Sequence, residues 1–349
     1  MVRLGISIGD INGIGLEVIL KTFSDDRIFN YCTPVVYGSA KVLSYHKNIV
    51  KDCNLNFHTI SEPSQAAEGK FNLINCWNEI ANIELGNLTE ESGKFAVISL
   101  DKMTRDLMEG HLDAVVTAPV NKKALDLAQF PYTGHTEYFQ DVFGGESLMT
   151  LVHDDLRVSL VTNHQPISEV SELIKKDLIL KKLEALNMTL KKDFGIEKPT
   201  IAVMGLNPHA GDDGAIGLED QEEIRPAIEE AKSNGILAFG PYPADGFFGS
   251  AQYKKFDGIL AMYHDQGLIP FKTLSFGGGV NFTAGLPAIR TSPDHGTAFD
   301  IAGKGLADAN SFRKAVYLAL DIFKSRVEWS EMMKTPLKKK PKPSEEIEE

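Results

Sequence analysis

The chain has 349 residues, 43% of them hydrophobic and 24% charged, and a formal net charge of −12. That length suits two domains or one large α/β unit, and the composition is that of an ordinary globular protein. The negative charge argues against a nucleic-acid or anionic-membrane surface, and no apolar run nears the ~20 residues that span a bilayer.

The opening "RLGISIG" (3–9) reads as a β-strand rather than a secretion signal, so a cytoplasmic protein is expected. "GDINGIG" (9–15) is a strand-to-helix turn that matches neither Gly-x-Gly-x-x-Gly nor a phosphate loop ending in Gly-Lys-Ser/Thr. Strands are predicted at 33–38, 71–75 and 113–119, with a helix over 90–110 that ends at glycine. Further strands fall at 148–153, 157–162, 200–205, 235–240 and 257–263. Leu173, Ile174, Leu178, Leu183, Leu186 and Leu190 recur at helical spacing, and that helix ends near "DFGIEKP". Many strands lack polar alternation, so both faces are covered, and the alternation of elements predicts α/β layers around a largely parallel sheet. Cys32, Cys53 and Cys76 are widely spaced without Cys-x-x-Cys and read as buried, inert thiols of a reducing compartment. The charge-blocked "TPLKKKPKPSEEIEE" (335–349) is expected to be a disordered, solvated tail.

Three histidines share one placement. His164 in "VTNHQP", His209 in "LNPHAGDDG" and His264 in "AMYHDQG" each follow a predicted strand, where open α/β sheets bind ligands. Three imidazoles suit a divalent ion such as Zn²⁺ or Co²⁺ and leave room for a substrate. Asp245 and Asp265 are candidates to orient imidazoles or move protons, or else serve structure. Asp212 and Asp213 read rather as a loop turn or helix cap.

An anion site is also legible. "PYTGHTEYFQ" (131–140) sets Thr133, His135 and Thr136 before a helix whose free N–H groups favour anions, although Glu137 in the first turn also fits plain capping. Lys272, Asn281 and Arg290 lie within 268–296, two cations and an amide suited to clamp a phosphate and a carboxylate. In "SPDHGTAFDIAGKGLAD" (292–308), His295, Gly296, Thr297 and Asp300 form either a surface turn or a small-residue loop that a flat ligand can approach, with Asp300 as an acceptor for ribose or adenine.

"TAPVNK", "TGHTE", "VTNHQP", "LNPHAGDDG", "YPADGFF", "AMYHDQGLIPFK" and "GVNFTAGLPAIRTSPDHGTAFDIAGKG" follow one another in that order. Through about residue 330 the chain resembles the 4-hydroxythreonine-4-phosphate dehydrogenases of pyridoxal phosphate biosynthesis. "HGTAFDIAGKG" is also similar to the cofactor loop of isopropylmalate dehydrogenases. The resemblance implies two α/β/α layered domains with an active-site cleft between them, as in isocitrate and isopropylmalate dehydrogenases. Residues 1–140 with 280–330 would form the first, and 141–279 the second, carrying the metal ligands and a dimer interface.

It further implies NAD-dependent oxidation of 4-phosphooxy-L-threonine with decarboxylation to 3-amino-2-oxopropyl phosphate, NADP being the alternative cofactor. One divalent ion (Zn, Co or Mg) would sit on His164, His209 and His264, supplied by both subunits of a homodimer. Substrate contacts are implied at His135, Thr136, Lys272, Asn281 and Arg290, and cofactor contacts at His295, Gly296, Thr297 and Asp300. The general base stays open among Asp245, Asp265 and Lys272. One departure is the lack of proline in "GDINGIGLEV", where relatives commonly carry it. Rival readings are a dehydrogenase of erythronate or threonate 4-phosphate, a phosphate acyltransferase of similar fold, and a non-enzymatic anion-binding protein.

Overall fold

Apolar, β-branched runs become strands where the sequence predicts them. The computed structural model describes residues 1–334, so the charged tail lies outside the described residues. The first part of the chain forms β1 (Val2–Ser7), α1 (Gly15–Phe23), β2 (Cys32–Gly38), α2 (Ala40–Lys47), β3 (Phe57–Ile60), β4 (Phe71–Asn75), α3 (Glu90–Met108), β5 (Ala114–Thr117), α4 (Lys122–Leu127) and α5 (His135–Phe143). The middle forms β6 (Leu148–His153), β7 (Leu156–Leu160), α6 (Ile167–Leu173), α7 (Lys176–Lys192), β8 (Thr200–Met204), α8 (Arg225–Ser233), β9 (Leu237–Tyr242), α9 (Ala244–Gly249), β10 (Gly258–Ala261) and α10 (His264–Ser275). β11 (Val280–Ala284), β12 (Arg290–Pro293) and α11 (Asn310–Lys334) complete it.

All these strands join one sheet in the order β3-β4-β2-β1-β5-β12-β11-β6-β7-β10-β8-β9. It is largely parallel, as expected. The exceptions are central, where β12–β11, β11–β6 and β6–β7 pair antiparallel. The predicted helix through Leu173 and Ile174 is instead two helices. Ile174 is extended and its side chain is buried, and the Glu223 carboxylate accepts the Lys176 N–H at 2.8 Å, capping the start of α7. Core burial of one residue and an anion at the new N-terminus outweigh continuous periodicity.

Both faces of the sheet are apolar, but they differ. One face carries a continuous core from Leu4 and Ile6 through Phe282 to Ile201 and Leu260. The other carries two separate cores, one around Tyr37, Leu100 and Phe139, the other around Leu151, Phe247 and Phe271. The gap between these two is the cleft of the α/β/α layers. Cys32 and Cys53 are buried and Cys76 half-buried. Burial pushes the Cys32 and Cys76 thiols up to about 12, which keeps them inert. Among the described residues no helix is long and apolar enough to cross a membrane.

Candidate active site

The floor of the cleft comes from four central strands. Register places Asn281 of β11 opposite Ser292 of β12 and Leu151 of β6, and Thr283 opposite Met149. Alternation then directs Thr117, Arg290, Ser292, Asn281, Thr283, Met149 and Leu151 to one face. These polar residues explain why β11 and β12 escape prediction, since no apolar run marks them. Helices α5 and α10 flank the floor and close a cavity of about 270 Å³.

Arg290 is buried, and among the described residues no carboxylate forms an ion pair with it, although the Glu137 charge acts on it across the cavity. Its guanidinium donates to Thr117 Oγ1 at 2.7 and 3.0 Å, to Thr283 Oγ1 at 3.0 Å and to His135 Nδ1 at 3.2 Å. Burial lowers the Arg290 pKa to about 10. Burial first, and then the Arg290 charge, hold His135 well below its ordinary value, so its imidazole is neutral. A buried cation hydrogen-bonded only to neutral groups is suited to accept an anion. His135 also begins α5, and Thr136, Lys272 and Asn281 line the same cavity. The Asn281 Oδ1 is buried without a partner, a second group left for a ligand.

His164 and His264 meet at the rim, with ring centroids 5.6 Å apart. His264 Nδ1 donates to Asp265 Oδ1 at 2.7 Å, so Nε2 is the ring nitrogen that a ligand can reach. Desolvation, then the charges of Lys122 and His264, lower the His164 pKa and favour its neutral form. Two imidazoles side by side, one oriented by a carboxylate, fit a divalent ion. His209 does not join them. Although β7, β10 and β8 are adjacent and parallel, residues 209–213 turn left-handed after β8, with φ of 43–81°. His209 therefore lines a neighbouring cavity of about 650 Å³ together with Asp245. The one grouping of three potential ligands among the described residues is elsewhere, at Asp106, Glu109 and His111. Asp212 and Asp213 lie in the turn itself, as expected for loop residues.

The 292–308 loop divides its residues. His295 and Gly296 line the main cavity. The His295 Nε2 is buried without a partner among the described residues, and a Cβ at Gly296 would meet nothing within 4 Å, both compatible with a ligand approaching there. Asp300 is exposed beside them, whereas Thr297 is buried against Gly13. Sequence reasoning missed Thr117, Lys122, Ser292 and Asp294 as lining residues, and it read Glu137 only as a capping group. Thr117 and Lys122 begin and end "TAPVNK", so the motif itself is the signal that marks them.

The sequence profile of the family described as "Pyridoxal phosphate biosynthetic protein PdxA" matches residues 30–319. A 4-hydroxythreonine-4-phosphate dehydrogenase of Bacteroides thetaiotaomicron is 49% identical over 340 residues, covering 97% of this chain and 93% of that one. A relative from Oceanobacillus iheyensis with the provisional name D-threonate 4-phosphate dehydrogenase is 38% identical over 324 residues, covering 91% and 97%. The crystal structure of 4-hydroxythreonine-4-phosphate dehydrogenase from Klebsiella pneumoniae superposes with a TM-score of 0.81 at 33% identity, covering 93% and 100%. With its motifs, its cleft and a profile match across most of its length, the chain belongs to the PdxA family of pyridoxal phosphate biosynthetic proteins.

Proposed function

We propose that the chain is an NAD-dependent dehydrogenase that oxidises 4-phosphooxy-L-threonine and releases CO₂, yielding 3-amino-2-oxopropyl phosphate in vitamin B6 biosynthesis in the cytoplasm. The observation that carries the reading is Arg290, a buried cation whose hydrogen bonds among the described residues all go to neutral groups. Arg290, with neutral His135 and the N-terminus of α5, binds one anionic end of the substrate, and Lys272 and Thr136 border it. Asn281 presents an acceptor to the substrate's hydroxyl or ammonium hydrogens.

When bound, NAD⁺ (or NADP⁺) supplies hydride acceptance and a divalent ion (Zn, Co or Mg) polarises substrate oxygens. His164 and His264 would hold the ion, joined by His209 of a second copy. Asp265 is committed to His264, which leaves Asp245 and Lys272 as proton acceptors. The exposed apolar groups lining the His209 cavity, Ile269 at 62% and Leu274 at 39%, support a homodimer that shares its sites. We assign residues 1–140 with 280–330 to one domain and 141–279 to the other. The separate cores on one sheet face support that division, and β11 bridges the border by pairing with β6 and β12.

The test is NADH absorbance with metal-replete protein, NAD⁺ or NADP⁺ and 4-phosphooxy-L-threonine, with and without chelator. Chelator-sensitive NADH is expected. The D-erythronate and D-threonate 4-phosphates run alongside, because a relative carries a threonate phosphate name. NADH from those alone moves the enzyme to a sugar-acid substrate, and none from any substrate removes the dehydrogenase assignment.

A further inference from the structure

Residues 294–309 contain neither helix nor strand. An ordered stretch of that length inside an α/β layer needs something else to define its shape. Within it, two backbone bonds close turns, from Ile301 N–H to Ala298 O and from Lys304 N–H to Ile301 O. Among the described residues, the hydrogen bonds that residues 297–307 make outside the loop go to the start of the chain.

Positions 14, 17 and 21 fall on one side of α1. The Ile14 N–H donates to Thr297 O at 3.0 Å. Glu17 Oε1 accepts the Gly303 N–H at 2.7 Å. Lys21 Nζ donates to Gly305 O at 2.8 Å and Ala307 O at 2.6 Å. The turn before α1 presses on the same loop, where a Cβ at Gly13 would lie 2.9 Å from Thr297 O. Asn12 holds the far wall: its Oδ1 accepts the Glu84 N–H at 2.8 Å and its Nδ2 donates to Asn87 O at 3.0 Å. That wall backs the loop, since a Cβ at Gly86 would stand 2.7 Å from Phe299 O and one at Gly303 2.5 Å from Leu85 Cδ1.

Two charged side chains thus serve main-chain groups of one irregular loop. Glu17 is wholly buried, and its Oε2 has no partner. A carboxylate in that position costs stability that an apolar residue would not. Neither Glu17 nor Lys21 lines the anion cavity.

We propose that Glu17 and Lys21 are positioning residues that shape the loop 295–305 for the dinucleotide, an inference that rests on the functional reading above. They act through the loop's backbone and not on the substrate. Glu17→Ala and Lys21→Met should each raise the NAD⁺ dissociation constant and KM roughly tenfold. Inorganic phosphate affinity and kcat at saturating NAD⁺ should stay within about twofold. Glu17→Gln keeps an acceptor for Gly303 and should restore NAD⁺ binding.

Calorimetric titration of the full chain with NAD⁺, and separately with inorganic phosphate, makes the measurement, with thermal melting as the check on folding. If Glu17→Ala loses its native melting transition, Lys21→Met decides alone. Unchanged NAD⁺ affinity in a folded variant overturns the proposal, as does parallel weakening of NAD⁺ and phosphate binding. Wild-type protein that binds neither NAD⁺ nor NADP⁺ overturns the functional reading and the proposal with it. Wild-type binding with unaffected variants overturns the proposal alone.

Discussion

At the scale of single residues, the site keeps groups that are costly to fold. Arg290 is buried among hydroxyls and a neutral imidazole. Arg290→Met should raise KM for the phosphorylated substrate roughly 10- to 100-fold, since a charged hydrogen bond contributes about 1.5–3 kcal/mol. The same variant should melt no lower than wild type, because the cation it removes lacks a buried counter-charge. Calorimetry with inorganic phosphate and thermal melting check both. A lower melting temperature with unchanged phosphate binding would make the guanidinium structural. His46 is a different case. It is buried, its Nε2–H donates to Ile11 O at 2.9 Å, and its Nδ1 has no partner. Burial lowers its pKa to about 4 against 6.5 when unfolded. Between those values the unfolded chain binds the extra proton. The stability tied to neutral His46 is therefore full above pH 6.5 and falls as pH drops through about 4, by about 3 kcal/mol. His135, also lowered, acts in the same direction. His46→Gln retains a donor for Ile11 O and should flatten the decline of melting temperature between pH 7 and 4.5.

At the scale of elements, periodicity located what is uniformly apolar and missed what is mixed. The edge strand β3 is mostly exposed, and β11 and β12 carry the polar floor of the cleft. Each lacks the hydrophobic run that marks a strand, so only pairing with neighbours identifies them. The break between α6 and α7 is likewise invisible in spacing, because Ile174 satisfies the helical pattern and the core at once. Helix α11 carries a structural charge pair. Arg326 Nε donates to the buried Asp193 just past α7 at 2.7 Å, and Arg326 also reaches Leu286 O at 3.2 Å. Burial raises the Asp193 pKa, and Arg326 opposes that rise. Arg326→Met should cost about 3–5 kcal/mol by leaving the carboxylate buried alone. Asp193→Asn in the same chain should recover much of it, as urea unfolding of the single and double variants will show.

At the scale of the whole molecule, the sheet is continuous while one of its faces is divided, and that combination makes the cleft. His209 and Asp245 line the neighbouring cavity and not the one floored by Arg290. If sites are shared, His164→Ala and His209→Ala homodimers should each be inactive. Mixing the two chains under exchange should restore about a quarter of wild-type activity, because half the dimers are mixed and each holds one intact site. No recovery in verified mixed dimers would place all three ligands within one chain.

The sequence by itself determined the layer class, most strands, the identity of the motifs and several polar residues of the cleft, because hydrophobic period and side-chain chemistry are local properties. Tertiary structure alone decided which residues meet. Strand register put Arg290 beside Thr117, 173 positions away, with hydroxyls and an imidazole as its hydrogen-bond partners. A left-handed turn separated His209 from His164 and His264, although all three follow adjacent strands. Contacts of that kind depend on strand order and backbone direction, which the spacing of residues along the chain does not encode.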